Sequence, residues 1–396
     1  MSDKLLDLAM PFDPPADRRN PYPDYARYRR ESPVIESAQG DRPLVWAFRH
    51  RDVAEILSDH ERFSNEAARV FLGPTQGEDL LVGMDPPAHA DHRRLIMPAF
   101  GPPVIERWKA DIIPAIVEEL LDALKDVPDP DLVRDLAFVL PTRIIARILG
   151  LPDEDFPLFR AWTMEFITVS GDPTQAFESA RALRSYLTPI IEARIERPMD
   201  DMISRLGAAR IDGDRLSVAQ VLSFLLTLLP AGIETTFRAL GSFMFTMLSQ
   251  PQRWGALVAD ESGIRPAVEE LLRFEAPLQV VFRTARADME LSGSKIRAGS
   301  FVIPVIGSAN RDEDANPDPD EFRPERSGRN YLTFGNGVHF CLGLHLAKAE
   351  LMTAAKAMVR RFPRLALDTA LVAERDIHIR GLMVRSPASV PVSLGK

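Results

Sequence analysis

The sequence is poor in cysteine, in unbroken apolar runs and in excess basic charge, and each shortage closes off a class of function. A single cysteine, Cys341, among 396 residues excludes an intramolecular disulfide and any zinc site built on two or more thiolates. Any sulfur chemistry happens at Cys341. With 48 Lys and Arg against 57 Asp and Glu, the net charge of −9 has the wrong sign for counterion-release binding to nucleic acid. The most apolar stretch, Val221 to Leu248, is broken by Pro230, Glu234 and Arg238 and falls short of the roughly 20 unbroken apolar residues that span a bilayer. It reads as a core helix. Met1 to Arg18 carries no basic stretch followed by an apolar segment, so neither a secretory signal nor a membrane anchor is expected and the protein is expected to be cytoplasmic.

What is present is an ordinary globular balance, 45% apolar and 27% charged residues, sufficient for a large core. No repeat, low-complexity tract or Gly/Ser linker divides the chain, and the 33 prolines punctuate helices. The best early strand candidates are Val34 to Ile35 and Leu44 to Phe48. Helical periodicity then predicts helices over Ala90 to Phe100, Val104 to Leu124, Leu132 to Leu149, Phe156 to Val169, Ala176 to Glu196, Ser217 to Leu248 and Pro266 to Phe274. The longest opens on Ser217 with Gln220 three residues on, a capping box, and stops before Pro251. At 1.5 Å per residue it runs about 48 Å, enough to cross a domain. A smaller β region is predicted over Gln279 to Ala285 and Phe301 to Ile306. A last helix is predicted to begin near Cys341 and run through Leu346, Ala349 and Leu351.

The window Phe334-Gly335-Asn336-Gly337-Val338-His339-Phe340-Cys341-Leu342-Gly343 surrounds the only cysteine. Gly335 and Gly337 allow positive φ and a tightly curled backbone, and Gly343 removes a side chain where a flat ligand would press. At a helix N-terminus, unpaired N–H groups favour the thiolate of Cys341. The pattern F-G-x-G-x-H-x-C-x-G resembles the cysteine-ligand loop of the haem-thiolate cytochrome P-450 monooxygenases. That resemblance implies a haem b whose iron takes Cys341 as axial ligand, with Phe334 packed beside the thiolate and His339 as a propionate donor. Thiolate ligation pushes electron density to iron and favours O–O cleavage.

Further segments carry the same resemblance. Pro230-Ala231-Gly232-Ile233-Glu234-Thr235-Thr236 weakens the middle of the long helix: Pro230 deletes a backbone bond, Gly232 adds room, and Thr235 is placed to back-bond to Ala231. It is similar to the family's acid-alcohol pair, which implies that Thr235 and Glu234 deliver protons to dioxygen beside Ala231. Glu270 and Arg273 share a helix face, and with Arg326 of Phe322-Arg323-Pro324-Glu325-Arg326 they resemble the family's structural Glu-Arg-Arg network. Asp85-Pro86-Pro87-Ala88-His89 followed by Arg93 puts His89 and Arg93 on one helix side, able to grip a carboxylate pair, and Arg283 matches another propionate donor. Pro230 before the Ala-Gly pair is unusual, and Tyr331 stands where many bacterial members place a histidine.

The resemblance implies a mainly α fold with a small β region, the cytochrome P-450 fold, as one domain over 1–396. With no flavin or iron–sulfur module in the sequence, electrons are expected from a ferredoxin and its NAD(P)H-dependent reductase, docking near Arg94, Lys109 and Lys348. The expected reaction uses dioxygen to hydroxylate or epoxidise a neutral lipophilic small molecule, of terpenoid, steroid or polyketide-like type. The pocket is expected among Phe71, Leu72, Phe166, Thr227, Pro230, Gln279, Val280, Val281, Phe282, Leu382 and Met383, with Thr227 and Gln279 as orienting hydrogen-bond partners. The alternatives are a peroxygenase or a non-redox haem-binding protein on the same fold. The first usually lacks the acid-alcohol pair, and the second is expected to lose Cys341 or Thr235. A cysteine hydrolase using Cys341 and His339 leaves the Glu270 helix and the Ala231 to Thr236 groove unexplained.

Overall fold

The computed structural model describes residues 19–39, 42–70, 80–167, 173–211, 213–328 and 330–395. Helices dominate, as the periodicity predicts. Those that matter below are α1 (Tyr22–Glu31), α2 (His50–Ser58), α3 (Ala88–Ile96), α4 (Ile113–Leu124), α5 (Val139–Leu149), α6 (Phe156–Ile167), α7 (Pro173–Glu196), α8 (Val218–Leu229), α9 (Thr235–Leu248), α10 (Ile264–Phe274) and α11 (Leu344–Arg361). One continuous apolar core joins α3 through α11. The reading of Phe156 to Val169 as a helix holds to Ile167, and its last two residues lie outside the described set.

Several of the long predicted helices are interrupted where proline lacks an N–H to donate. Wide π-type turns occur at Trp108–Ile112 ahead of Pro114, at Val133–Ala137 ahead of Pro141, and at Pro230–Glu234. A missing i to i−4 bond loosens the ladder, and an inserted wide turn re-satisfies the neighbours. The capping box at the start of α8 is formed in full: Gln220 N–H donates to Ser217 Oγ at 3.1 Å, and Ser217 N–H to Gln220 Oε1 at 2.9 Å. By length and composition Val218–Leu248 would suffice to cross a membrane, yet 61% of its most apolar window is buried inside the protein. It is a core helix.

The principal sheet has strands β1 (Val34–Gln39), β2 (Arg42–Ala47), β3 (Phe63–Ser64), β4 (Arg283–Ala285) and β5 (Phe301–Pro304), in the order β1-β2-β5-β4-β3. β2 and β5 run parallel, pairing Leu44 with Phe301 and Val45 with Val302, and β4 is antiparallel to β5. The expected strand from Gln279 is shorter than predicted and starts at Arg283. Residues Leu278 and Val280 make only isolated bridges, to Val384 and Val305, because the strand that would extend their ladder is absent among the described residues. The last helix also starts later than predicted, at Leu344, with Gly343 as its cap.

The buried charges of α10 tie these layers to the cysteine loop. Arg273 grips Glu270 with a fork, Nε on Oε2 at 3.0 Å and Nη2 on Oε1 at 2.8 Å, both side chains being fully enclosed. Arg326 Nε adds a bond to Glu270 Oε1 at 3.3 Å, and the Arg323 amide another at 3.0 Å. Burial pushes the Glu270 carboxyl up, but these donors outweigh it and hold the group below its ordinary range. Arg273 Nη1 also donates to the carbonyls of Asn310 and Pro319. Asn310 in turn holds the Leu332 amide through Oδ1 at 2.7 Å and the Thr333 hydroxyl through Nδ2 at 2.8 Å. The chain enters the cysteine loop immediately afterwards.

Replacing Glu270 by Ala leaves Arg273 buried without its counter-charge and should destabilise the fold by about 3–5 kcal/mol. Because the folded carboxyl is held low, its contribution is present above the ordinary glutamate range and is lost as the pH falls through the folded value. Denaturant titration of Glu270→Ala at neutral and acidic pH checks both: the stability gap to the parent protein should narrow in acid.

Candidate active site

The loop around Cys341 is built almost entirely by backbone geometry. Gly335 and Gly337 take φ of 74° and 72°. At Gly337 an added Cβ would lie 2.7 Å from Ser58 Cα of α2, so only glycine allows that approach. Gly335 N–H donates to Leu332 O at 2.8 Å and Cys341 N–H to Phe334 O at 2.9 Å, closing the loop on itself. At Gly343 an added Cβ would meet nothing within 4 Å. Space lies open beside the cysteine where the sequence calls for a flat ligand.

Cys341 sits just outside α11, where the Gly343 and Leu344 amides point at its sulfur and the Arg93 guanidinium lies near. The sequence leads one to expect a sulfur already anionic. Burial pushes the thiol above its ordinary value, while the two amides and Arg93 pull it back toward the thiolate, as the helix N-terminus predicts. A buried anion needs more than partial dipoles, and a coordinated metal cation supplies the difference.

Beside this loop lies a cluster of histidine and arginine side chains, with Asp85 the charged group of opposite sign that acts on His89 and Arg283. His89 and His339 pack ring on ring, centroids 4.0 Å apart, and each has a buried Nε2 without a partner. Burial, then repulsion by neighbouring cations, depresses their basicity, to about 4 for His89 and about 3 for His339. Arg283 is buried too, pushed down to about 10 by desolvation, and its Nη1 reaches only the Phe282 carbonyl at 2.9 Å. Arg93 Nη2 donates to the Phe340 carbonyl at 2.7 Å. Orphaned buried donors of this kind are rare, and their common complement is an anion. Two propionates above a cysteine ligand fit the set, so the residues present suit a haem.

The long helix opens where the proline run predicts. Ala231 is exposed, and Gly232 and Thr235 are half-exposed, in the middle of an otherwise buried helix. Thr235 Oγ1 donates to the Ala231 carbonyl at 2.8 Å. Glu234 is buried and faces Arg238, one turn on, at 2.8 Å. Sequence reading missed that partner, although the i, i+4 spacing on a helix signals it.

Several expected pocket residues fall elsewhere. Phe71 and Leu72 lie outside the described residues. Thr227 is buried and donates to the Ser223 carbonyl at 2.9 Å. Gln279 is fully buried, its Nε2 on the Ala276 carbonyl at 2.7 Å and its amide wedged into the space that a side chain at Gly307 would fill. Thr227 spends its hydroxyl proton on helix back-bonding, whereas Gln279 Oε1 is buried without a hydrogen-bond partner. Phe166, Val280 and Leu382 are buried, whereas Pro230, Val281, Phe282 and Met383 are half-buried.

The three cations expected at the docking face sit in different surroundings. Lys348 is enclosed between Glu269, at 2.8 Å, and the rings of Tyr331 and Phe334, so it braces the loop. Lys109 is paired with Glu106 at 2.7 Å. Arg94 does line an open depression of about 610 Å³ with His89, Ala90, Arg93, Met97, Pro98 and Val338.

Comparison with known proteins converges on one family. The cytochrome P450 family model matches residues 264–387. The chain is 35% identical over 395 residues to cytochrome P450 monooxygenase PikC of Streptomyces venezuelae, covering 96% of this chain and 93% of that protein. It is 37% identical over 351 residues to erythromycin C-12 hydroxylase of Saccharopolyspora erythraea, covering 86% of each. The solved structure of cytochrome P450 PksS of the Bacillus subtilis 168 bacillaene polyketide synthase superposes with a TM-score of 0.88 at 33% identity, over 95% of this chain and 97% of that one. The chain belongs to the cytochrome P450 family, as a haem-thiolate monooxygenase.

Proposed function

We propose that this monooxygenase hydroxylates or epoxidises a neutral lipophilic small molecule of terpenoid, steroid or polyketide-like type, in the cytoplasm and as one domain over 1–396. Its electrons come from a ferredoxin and an NAD(P)H-dependent ferredoxin reductase. The observation that carries the reading is the pair of unpartnered buried ring nitrogens of His89 and His339 beside the loop of Cys341, in a chain that also keeps an acid and an alcohol at an opened helix.

Cys341 would hold the haem iron through its sulfur, Arg93, Arg283, His89 and His339 would hold the propionates, and Phe334, Gly335 and Gly343 would shape the thiolate side. The haem, when bound, supplies the iron at which dioxygen is reduced and one oxygen atom is inserted into substrate. Thr235 holds a hydroxyl at the opening beside Ala231, where it orients a proton toward dioxygen, and Glu234 is the acid behind it. The substrate reading rests on the apolar character of Phe166, Pro230, Val280, Val281, Phe282, Leu382 and Met383. A carboxylate or amine buried there without a partner loses several kcal/mol. The similarity to an erythromycin C-12 hydroxylase favours the polyketide-like end of that range.

The ferrous carbonyl complex should show the strongly red-shifted Soret band of thiolate ligation, and Cys341→His should abolish that band while the Glu270 network keeps the chain folded. A band surviving in the variant would contradict the ligand assignment. Thr235→Ala should bind haem and ligand as before but divert most reducing equivalents from product to peroxide or water; unchanged coupling of NAD(P)H use to product would remove Thr235 from the mechanism. Titrating neutral macrolides, steroids and terpenes against fatty acids and benzoates, read by the haem spin-state shift, checks the substrate class. Shifts by the acids alone would reveal a cation missed in the pocket.

A further inference from the structure

Glu234 is buried at the wide turn of the longest helix, on the enclosed side of the opening at Ala231. Burial raises its carboxyl above the ordinary range, and Arg238 is the only charged group acting in the other direction. The geometry of that contact is specific. Arg238 Nε and Nη2 both donate to one oxygen, Oε1, at 3.1 and 2.8 Å. Its Nη1 reaches across to Ser386 Oγ at 3.1 Å, and Ser386 is itself fixed by paired backbone bonds to Arg380. The guanidinium also lies over the Phe237 ring, 5.0 Å from its centroid.

The charged groups on the elements packed around the wide turn are otherwise engaged. α8 carries none. On α5, Arg143 is paired with Glu119 and Arg147 with Asp153. On α6, Arg160 lies over the Phe138 ring and Glu165 accepts from Ser179. Arg134 and Asp135 pair with each other.

We propose that Arg238 is a positioning residue that sets the acid strength of Glu234, and so the rate of proton delivery, with Ser386 fixing the guanidinium. The inference rests on the reading of Glu234 and Thr235 as the proton donors. In the step, the Glu234 carboxyl would give up its proton to solvent at the opening beside Ala231, and the Thr235 hydroxyl, leaving the Ala231 carbonyl, would hand its proton on toward the dioxygen being reduced and take one back from that solvent. Glu234 is left as a carboxylate and recovers a proton from solvent; no electron moves at either side chain. Arg238 stabilises the carboxylate that remains. Without it, burial makes the acid too weak to release its proton.

The test uses haem-loaded protein and two readouts. The first is infrared titration of the protonated-carboxyl band of Glu234, identified as the band lost in Glu234→Gln. In Arg238→Leu the midpoint should move up by about one pH unit or more, roughly a tenfold rise in proton affinity. Arg238→Lys should restore most of the parent midpoint, and Ser386→Ala should shift it less, in the same direction. The second is NADPH-driven dioxygen consumption with a plant-type ferredoxin and its reductase, dioxygen being the probe. Arg238→Leu should slow it roughly tenfold, move its pH dependence up with the infrared midpoint and enlarge the solvent isotope effect. In a Glu234→Gln background the same substitution should do nothing further. An unchanged infrared midpoint, or equal slowing in both backgrounds, overturns the proposal. If Arg238→Leu moves the midpoint but Glu234→Gln leaves dioxygen consumption unaltered, the donor reading of Glu234 fails, and with it the role of Arg238. The ferrous carbonyl band of each variant reports that the fold is intact.

Discussion

A guanidinium without water is tolerable only if every donor finds an oxygen, and Arg273 satisfies that demand by drawing distant parts of the chain together. Its bonds to Glu270 stay within α10, but those to Asn310, Pro319 and Glu321 fix the long loop that follows. Asn310 then pins Leu332 and Thr333. The position of Cys341 is therefore inherited from an ion pair that never touches it. Such a pair adds little net stability over an apolar substitute. Its contribution lies in specifying a single arrangement for a loop that is otherwise glycine and turn.

The site itself combines two electrostatic problems of opposite sign. At His89 and His339, beside Arg93 and Arg283, there are buried ring nitrogens without a partner, and around Cys341 there is an acid whose ionisation burial disfavours. A haem answers both at once, its propionates meeting the donors and its iron the sulfur. Protein and prosthetic group each complete the other's unpaired charges, so loading of the cofactor and consolidation of this region belong to one equilibrium.

What the sequence made legible was local. The capping box at Ser217, the positive φ of Gly335 and Gly337, and the back-bond from Thr235 to Ala231 each depend on residues within four positions of one another. The Glu270, Arg273 and Arg326 grouping was read through family resemblance, since nothing local links α10 to a residue far downstream. Misreadings came where a distant partner decides. Lys348 looks like a solvated lysine until Glu269 and Tyr331 enclose it. The strand expected from Gln279 shortens because a ladder needs a neighbour, and only isolated bridges meet Leu278 and Val280.

The wide turn at Pro230–Glu234 also changes how the longest helix must be read as a pattern. An α-helix advances about 100° per residue, from 3.6 residues per turn, and a π-type turn holds one residue more. Each side chain beyond the turn therefore takes the angular slot its predecessor would have held in an uninterrupted helix. Thr235 faces where residue 234 would face, and the stripes of α8 and α9 are out of phase by about one residue's rotation. An insertion-sized offset is thus written into a helix of ordinary appearance, and a hydrophobic period fitted across it describes neither half.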